Sequence, residues 1–300
     1  MVVPADVSVE TDKQLDTLVG DIYALFDPEV MHEPSEENLE EVAHNIKEIL
    51  RIRLAQREDV RSPLRFSALG RQDRQIWFDA HPDGQEEELS PKTFFKFLYG
   101  DIIEQLILFL AKEAGHSVTS PQAEVEVDGV KGHIDAIIDG VVVDVKSASP
   151  YGYKKFEQGS VIDDDPFGYV AQLSGYANVL TPGEPAAWIA FDKVSGDICV
   201  SRLSSSIIKD HDPGERITEL KEIIDAPNPP PLCHLPVPDG KSGNLKLVTQ
   251  CSYCKWKVRC HPNLRTFLYS TGPRFLTTVA KTPEVPEVTR KDRGGEEVDP

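Results

Sequence analysis

One short turn brings two carboxylates and an ammonium together. Asp139-Gly140 separates the runs KGHIDAII and VVVDVK, and Asp-Gly between apolar-rich segments signals a two-residue hairpin. In such a hairpin Ile138 opposes Val141, Ile137 opposes Val142 and Ala136 opposes Val143. Asp135 then opposes Asp144, and His133 opposes Lys146. Strand side chains alternate, so all four share one face, with opposed Cβ atoms about 4.5–5.5 Å apart. Two carboxylates that close repel. The apolar Ile134, Ile137, Ile138, Val141, Val142, Val143 and Val145 around them predict burial, which raises the cost. A shared proton or a divalent cation offsets it. Mg²⁺ suits the pair because it takes oxygen ligands, commonly one or two carboxylates plus substrate phosphate. Lys146, two residues beyond Asp144, can orient or help deprotonate an attacking water and balance developing charge. The competing reading is an ordinary exposed hairpin face, and paired like charges weigh against it.

Three further side chains bear on this centre. Glu104 falls on a helical face shared with Gly100, Ile107, Leu108 and Ala111, where an unpaired acid is costly. A third metal-site carboxylate explains it, and so does an acid at the helix edge reaching solvent or a local base. Gln172 and Tyr176 stand four apart on one helix face. Both are placed to touch the centre or a phosphate, and plain packing is the alternative.

A second cluster is formed by cysteines. Of five, Cys251, Cys254 and Cys260 lie in the spacing C-x2-C-x5-C, which in a cytosolic chain reads as metal binding before disulfides. Cys233 is the other cysteine of the C-terminal region and the choice for a fourth ligand. Four thiolates suit a [4Fe–4S] cluster or a structural Zn²⁺. His234 and His261 adjoin cysteines and keep a Cys₃His zinc site open. Cys199 lies in a predicted strand and reads as core.

The elements that must carry these residues follow from periodicity. Residues 35–58 and 91–115 read as helices, the first with Ser35 as a candidate cap and the second opening at Ser90-Pro91. Residues 123–146 read as a three-stranded meander with turns at Asp128-Gly129 and Asp139-Gly140. A loop is predicted over 150–165, a helix over 166–180 starting at Pro166, strands over 185–192 and 196–203, and a helix over 213–225. A proline-rich connector, 227–238, leads to the cysteines.

The net charge of −18 opposes nucleic-acid binding when taken whole. The acids crowd into 29–48, 83–88 and the C-terminal tail, whereas 241–265 is basic with interleaved aromatics. Lys255, Lys257 and Arg259 around Trp256 are therefore expected to present a DNA-binding face. No basic segment precedes an apolar stretch at the N-terminus and no run of about 18 apolar residues occurs, which predicts a soluble, cytoplasmic protein with no membrane association.

Taken together, Gly132-His133-Ile134-Asp135, Asp144-Val145-Lys146 and Gln172-Leu173-Ser174-Gly175-Tyr176 resemble the PD-(D/E)xK nucleases, in the RecB-like, Cas4-like branch that includes many phage exonucleases. The resemblance spans roughly 65–265 and is strengthened by the cysteine spacing. It places the family's helix motif on Gly100 to Glu104 and its entry motif on Ser67 to Gln75. It implies an α/β fold, a restriction-endonuclease-like core with a central mixed sheet flanked by helices. Glu104, Asp135 and Asp144 would bind Mg²⁺ or Mn²⁺ together with the Val145 carbonyl. Lys146 would position water, and Gln172 and Tyr176 would orient the site or contact DNA. The implied organisation is a helical region to residue 60, a nuclease core over 61–226, a Cys-rich module over 227–276 packing on the core, and a disordered tail over 277–300. The implied activity is a DNA exonuclease of replication, recombination or repair, with DNA and a replication or recombination protein as partners. A catalytically silent DNA-binding subunit and a structure-specific endonuclease are the alternatives. Iron–sulfur members often carry Cys-Pro-Arg where this chain has Gln72-Asp73-Arg74. That departure favours zinc, while the family likeness favours iron–sulfur.

Overall fold

The computed structural model describes residues 13–55, 62, 64–84 and 91–288, with strand segments at 290–291 and 297–298. In chain order the elements are α1 (Leu18–Ala24), α2 (Glu36–Leu54), α3 (Asp73–Ala80), α4 (Pro91–Glu113), β1 (Val118–Thr119), β2 (Glu124–Val127), β3 (Val130–His133), β4 (Ala136–Ile138), β5 (Val141–Ala148), α5 (Pro150–Glu157), α6 (Tyr169–Leu180), β6 (Ala186–Asp192), β7 (Ile198–Leu203), α7 (Ser205–Lys209) and α8 (Pro213–Asp225). After α8 come β8 (Val237–Pro238), β9 (Leu245–Lys246), α9 (Thr249–Ser252), α10 (Lys257–Cys260), β10 (Arg265–Tyr269), β11 (Gly272–Thr278) and β12 (Glu287–Val288). The Ser90 start signal and most of the acidic run 83–88 lie outside the described residues.

The chain divides into two units, 1–70 with 91–219, and 71–90 with 220–300. These limits differ from those expected: 71–90 goes with the cysteine segment, and the second division falls inside α8. The first unit is mixed α/β. Its central sheet has the order β1-β4-β5-β6-β7. All pairings are antiparallel except β5 with β6, which is parallel. Parallel neighbours need a crossover, and α5 and α6 supply it. One face is covered by α1 and α4, whose Leu18, Ile22, Ile103 and Ile107 pack on Val143, Val145, Ala187 and Ile189. On the other face Phe156 of α5 meets Trp188 of β6, with ring centroids 5.9 Å apart. Helix α2 packs beside α4 and buries none of its own residues.

The Asp139-Gly140 turn forms as expected. Both residues take positive φ, 49° and 80°, and β4 pairs β5 in the expected register, Ala136 with Val143 through Ile138 with Val141. The meander, however, divides. β3 pairs with β2 in a separate two-stranded sheet, Glu124 opposite His133, and the chain bends at Ile134-Asp135 before β4 begins. His133 consequently does not face Lys146; it is exposed, 3.8 Å from Glu124. Tertiary packing holds β3 away. A Cβ at Gly132 would come within 2.5 Å of Phe66 Cβ and 2.9 Å of the Tyr176 hydroxyl.

Three local readings change. The loop expected over 150–165 contains α5, capped by Ser149 Oγ accepting the Gly152 N–H at 3.2 Å. The helix expected from Pro166 starts at Tyr169, because Asp165 accepts the Gly168 and Val170 N–H groups and Gly168 is left-handed. In the tail, Glu287–Val288 pairs with β10, completing the second unit's sheet, β12-β10-β11-β9-β8.

Gly168 also packs against Gly70 so tightly that a Cβ on Gly70 would lie 2.3 Å from Gly168 Cα. Backbone cannot yield as a side-chain tip can. Gly70→Ala is expected to lower stability by about 2–4 kcal/mol, read as a reduced denaturation midpoint. A shift within about 0.5 kcal/mol would show that the crossing is looser than described.

Candidate active site

The centre forms where β4 stops. Beyond Val143, β5 pairs only with β6 among the described strands. The Val145 N–H therefore has no strand carbonyl on its other edge and donates to Asp135 Oδ2 at 2.6 Å. The N–H and C=O of one strand residue point to the same edge, so the Val145 carbonyl faces this opening too. Asp144, 3% exposed, and Lys146 project to the face carrying α5 and α6. Lys146 Nζ lies 2.5 Å from Asp144 Oδ2 as an ion pair without the alignment of a directional hydrogen bond.

Glu104 reaches the opening from α4. Gln122 ties it there: its side chain donates to Glu104 Oε1 at 2.7 Å and its backbone N–H donates to the Asp135 carbonyl at 3.2 Å. Burial, and then the charges of Asp101 and Asp144, raise the Glu104 carboxyl to about 7, against the pull of Lys146. Asp135 is raised well above the ordinary carboxylate range by burial, then by Asp144 and Glu104. Lys146 is held above its ordinary value: Asp144 and Asp135 outweigh the opposing effect of burial. Three acids thus press on one another around a single ammonium.

Helix α6 closes the other side. Tyr176 is buried and stacked on Phe66, with centroids 5.2 Å apart and an interplanar angle of 6°. Its phenol is pushed up to about 12 by burial, with Asp144 and Asp135 adding to the shift and a hydrogen bond with Gln172 opposing it. The structure therefore brings Glu104, Asp135, Asp144, Val145, Lys146 and Tyr176 together, with Gln172 attached through Tyr176. Sequence reading missed two members. Tyr169 lies 4.8 Å below Lys146 Nζ; its spacing of three and seven from Gln172 and Tyr176 would have placed it on their face. Gln122 carried no signal, since its role depends on a tertiary contact.

The second unit gathers Cys233, Cys251, Cys254 and Cys260 around one cavity of about 20 Å³, with His234, His261, Arg74 and Gln75 also in its wall. Cys251 is pushed up to about 12 by burial and then by Cys254, Cys233 and Cys260. Burial also raises Cys233 and Cys254. His234 Nε2 is buried without a hydrogen-bond partner. Arg74 Nε donates to Cys260 Sγ at 3.4 Å, so this arginine itself meets the cluster. Trp77, Phe78 and Trp256 form a small core beside it. Cys199 is half-buried in β7 and apart in sequence from this set.

The basic face expected on this unit is engaged internally. Lys255 pairs with Asp79 at 2.9 Å, Arg259 pairs with Asp83 at 2.8 Å, and Lys257 is buried with its ammonium over Phe275. Sequence reading offered these charges as a DNA-binding face; the acids that take up Lys255 and Arg259 lie far upstream, in and just after α3.

Among the described residues, no three His, Cys, Asp or Glu side chains are already arranged to hold a metal ion, and no helix is long and apolar enough to cross a membrane. No family model matches the chain, and no curated protein matches it. Among solved structures it is similar to "Crystal structure of SSO0001", with a TM-score of 0.40 and 18% identity over 73% of this chain and 95% of that one. Likeness at that level carries no argument about the fold or activity of this chain.

Proposed function

We propose that this chain is a divalent-metal-dependent deoxyribonuclease of the PD-(D/E)xK type, with a restriction-endonuclease-like core, acting as an exonuclease in DNA replication, recombination or repair. One observation carries the reading: Glu104, Asp135 and Asp144 converge beside Lys146 where β4 ends, and burial, then the neighbouring acids, raises the first two. The donor set fits Mg²⁺ or Mn²⁺, since all three are hard oxygen ligands and a dication would relieve the mutual repulsion of the carboxylates. The Val145 carbonyl, on the same open edge, completes the set. Binding would displace protons from Glu104 and Asp135 and turn Asp144 from Lys146.

The bound cation would supply Lewis-acid stabilisation of phosphate charge. The chain's own groups do the rest. Lys146, held charged, orients the attacking water and balances charge developing on the phosphate. Tyr169 and Tyr176 wall the site and restrict bulk water. Gln172 hydrogen-bonds with Tyr176 one turn along α6 and orients its hydroxyl.

The four cysteines fit a [4Fe–4S] cluster or a structural Zn²⁺. Burial raises the thiols of Cys233, Cys251 and Cys254, and metal binding would release protons from the ligands. The orphaned Nε2 of His234 in the same wall keeps a Cys₃His zinc site as the second reading.

Incubation with circular and end-labelled linear DNA in Mg²⁺ or Mn²⁺ tests the activity. Release of end label with covalently closed circles intact is expected. Nicking or linearisation of the circle would make the enzyme an endonuclease, and absence of all cleavage would leave a DNA-binding or assembly subunit.

A further inference from the structure

The helix that delivers Glu104 lies along β5 like a ruler. Glu104 stands at the acidic end beside Asp144. Four residues earlier, Gly100 faces Ser147, with its Cβ position 3.4 Å from Ser147 Oγ. Four residues earlier again, Lys96 lies on the same face, which carries it past the end of β5. Lys193 meets it there. β5 and β6 run parallel with Ala148 opposite Asp192, and the Lys193 N–H donates to the Ala148 carbonyl at 3.1 Å.

Two ammonium groups thus converge in a chain of net charge −18. Among the described residues neither forms an ion pair. Lys96 is exposed and Lys193 half-exposed. Asp192, the acid that acts on Lys193, is buried and accepts the Val194 N–H at 2.9 Å. Burial and the Lys96 charge lower the proton affinity of Lys193, against Asp192, so an anion there would be bound with gain. Tyr151, three residues beyond Ala148, presents a ring that is 73% exposed with Lys155 Nζ 5.3 Å above it. Such a ring, a few residues past the end of β5, could stack a base beside a bound phosphate.

Resting on the nuclease reading, we propose that Lys96 and Lys193 form a backbone-phosphate subsite for the DNA strand entering or leaving the centre, two to three strand steps, about 7–10 Å, beyond Lys146. This assigns the DNA path to the β5–α4 end of the first unit rather than to the cysteine unit's basic run.

Binding of a labelled single-stranded oligonucleotide, followed by anisotropy from low to high salt with Ca²⁺ replacing Mg²⁺, tests it. For Lys96→Gln with Lys193→Gln, the slope of log affinity against log salt should become shallower by about 0.7 for each lysine removed. In cleavage, KM should rise while kcat is held. Lys131→Gln, on β3, should leave both unchanged. Lys96→Glu alone changes an exposed side chain and should by itself weaken binding, which covers any folding defect from the double variant. An unaltered slope in the double variant, beside a wild type that binds and cuts DNA, would overturn the subsite and leave the nuclease reading standing. A wild type that binds no oligonucleotide would remove both.

Discussion

Glu104→Gln is expected to reduce cleavage by about 10²–10³-fold, the range for losing one group that stabilises transition-state charge, while making the metal-free protein more stable above pH 7. The two effects share a cause. Glu104 is raised from 4.5 to about 7 by burial and by Asp101 and Asp144. Below about pH 4.5 the group is neutral folded and unfolded, and contributes no penalty. Between 4.5 and about 7 the folded state holds a proton that the unfolded chain has released, so stability falls as pH rises. Above about 7 the full penalty is present. Gln keeps the oxygen that accepts from Gln122 and removes the charge. The variant should gain on the order of 2 kcal/mol at pH 8 after allowance for solvent screening, and nothing at pH 4. Mg²⁺ should narrow the gap by stabilising wild type only. Melting curves at the two pH values, with and without Mg²⁺, read all of this. A variant that melts lower at pH 8 would make Glu104 a structural acid. Asp144 behaves differently: its loss leaves Lys146 without its ion-pair partner, so Asp144→Asn should bring no comparable gain.

Cys254→Ser, or chelation, is expected to open the second unit while the first keeps its structure. The core around the cysteines is small, centred on Trp77, Phe78 and Trp256 with Cys254 and Cys260 at its edge. A structural metal held by such thiolates contributes on the order of 10 kcal/mol to folding, more than that core can replace. Limited proteolysis should cut within 71–84 and 227–265 and spare the sheet containing β5 and β6. A brown protein purified without oxygen would indicate iron–sulfur, and a colourless one with stoichiometric zinc the alternative. A Cys254→Ser protein as resistant as wild type and free of metal would leave the cysteines as reduced core residues.

The parts legible in sequence were those governed by local chemistry. Asp139-Gly140 sets the register of Ala136 to Val143, because a two-residue turn with both φ positive admits one pairing. His133 was misplaced because extending that register assumes a continuous strand, and the bend at Ile134-Asp135 comes from β3 docking on Phe66 and Tyr176. The bend also makes the site: without it a strand carbonyl, not the Asp135 carboxylate, would meet the Val145 N–H. The start of α6 was misread from Pro166 because Asp165 caps it from outside the helix. The cysteine spacing pointed to one cluster, and all four chosen cysteines do share a cavity. That residues 71–84 belong with them, and that Asp79 and Asp83 take up Lys255 and Arg259, depends on contacts between distant segments, which periodicity does not encode.

The most direct measurement is release of end label from linear DNA by wild type and Asp144→Asn, purified side by side, each with Mg²⁺ and with EDTA. The carboxylate centre predicts release by wild type only with Mg²⁺ and a loss of at least about 10²-fold in a folded Asp144→Asn protein. Cleavage by wild type that persists in EDTA, or full activity in Asp144→Asn, would contradict it.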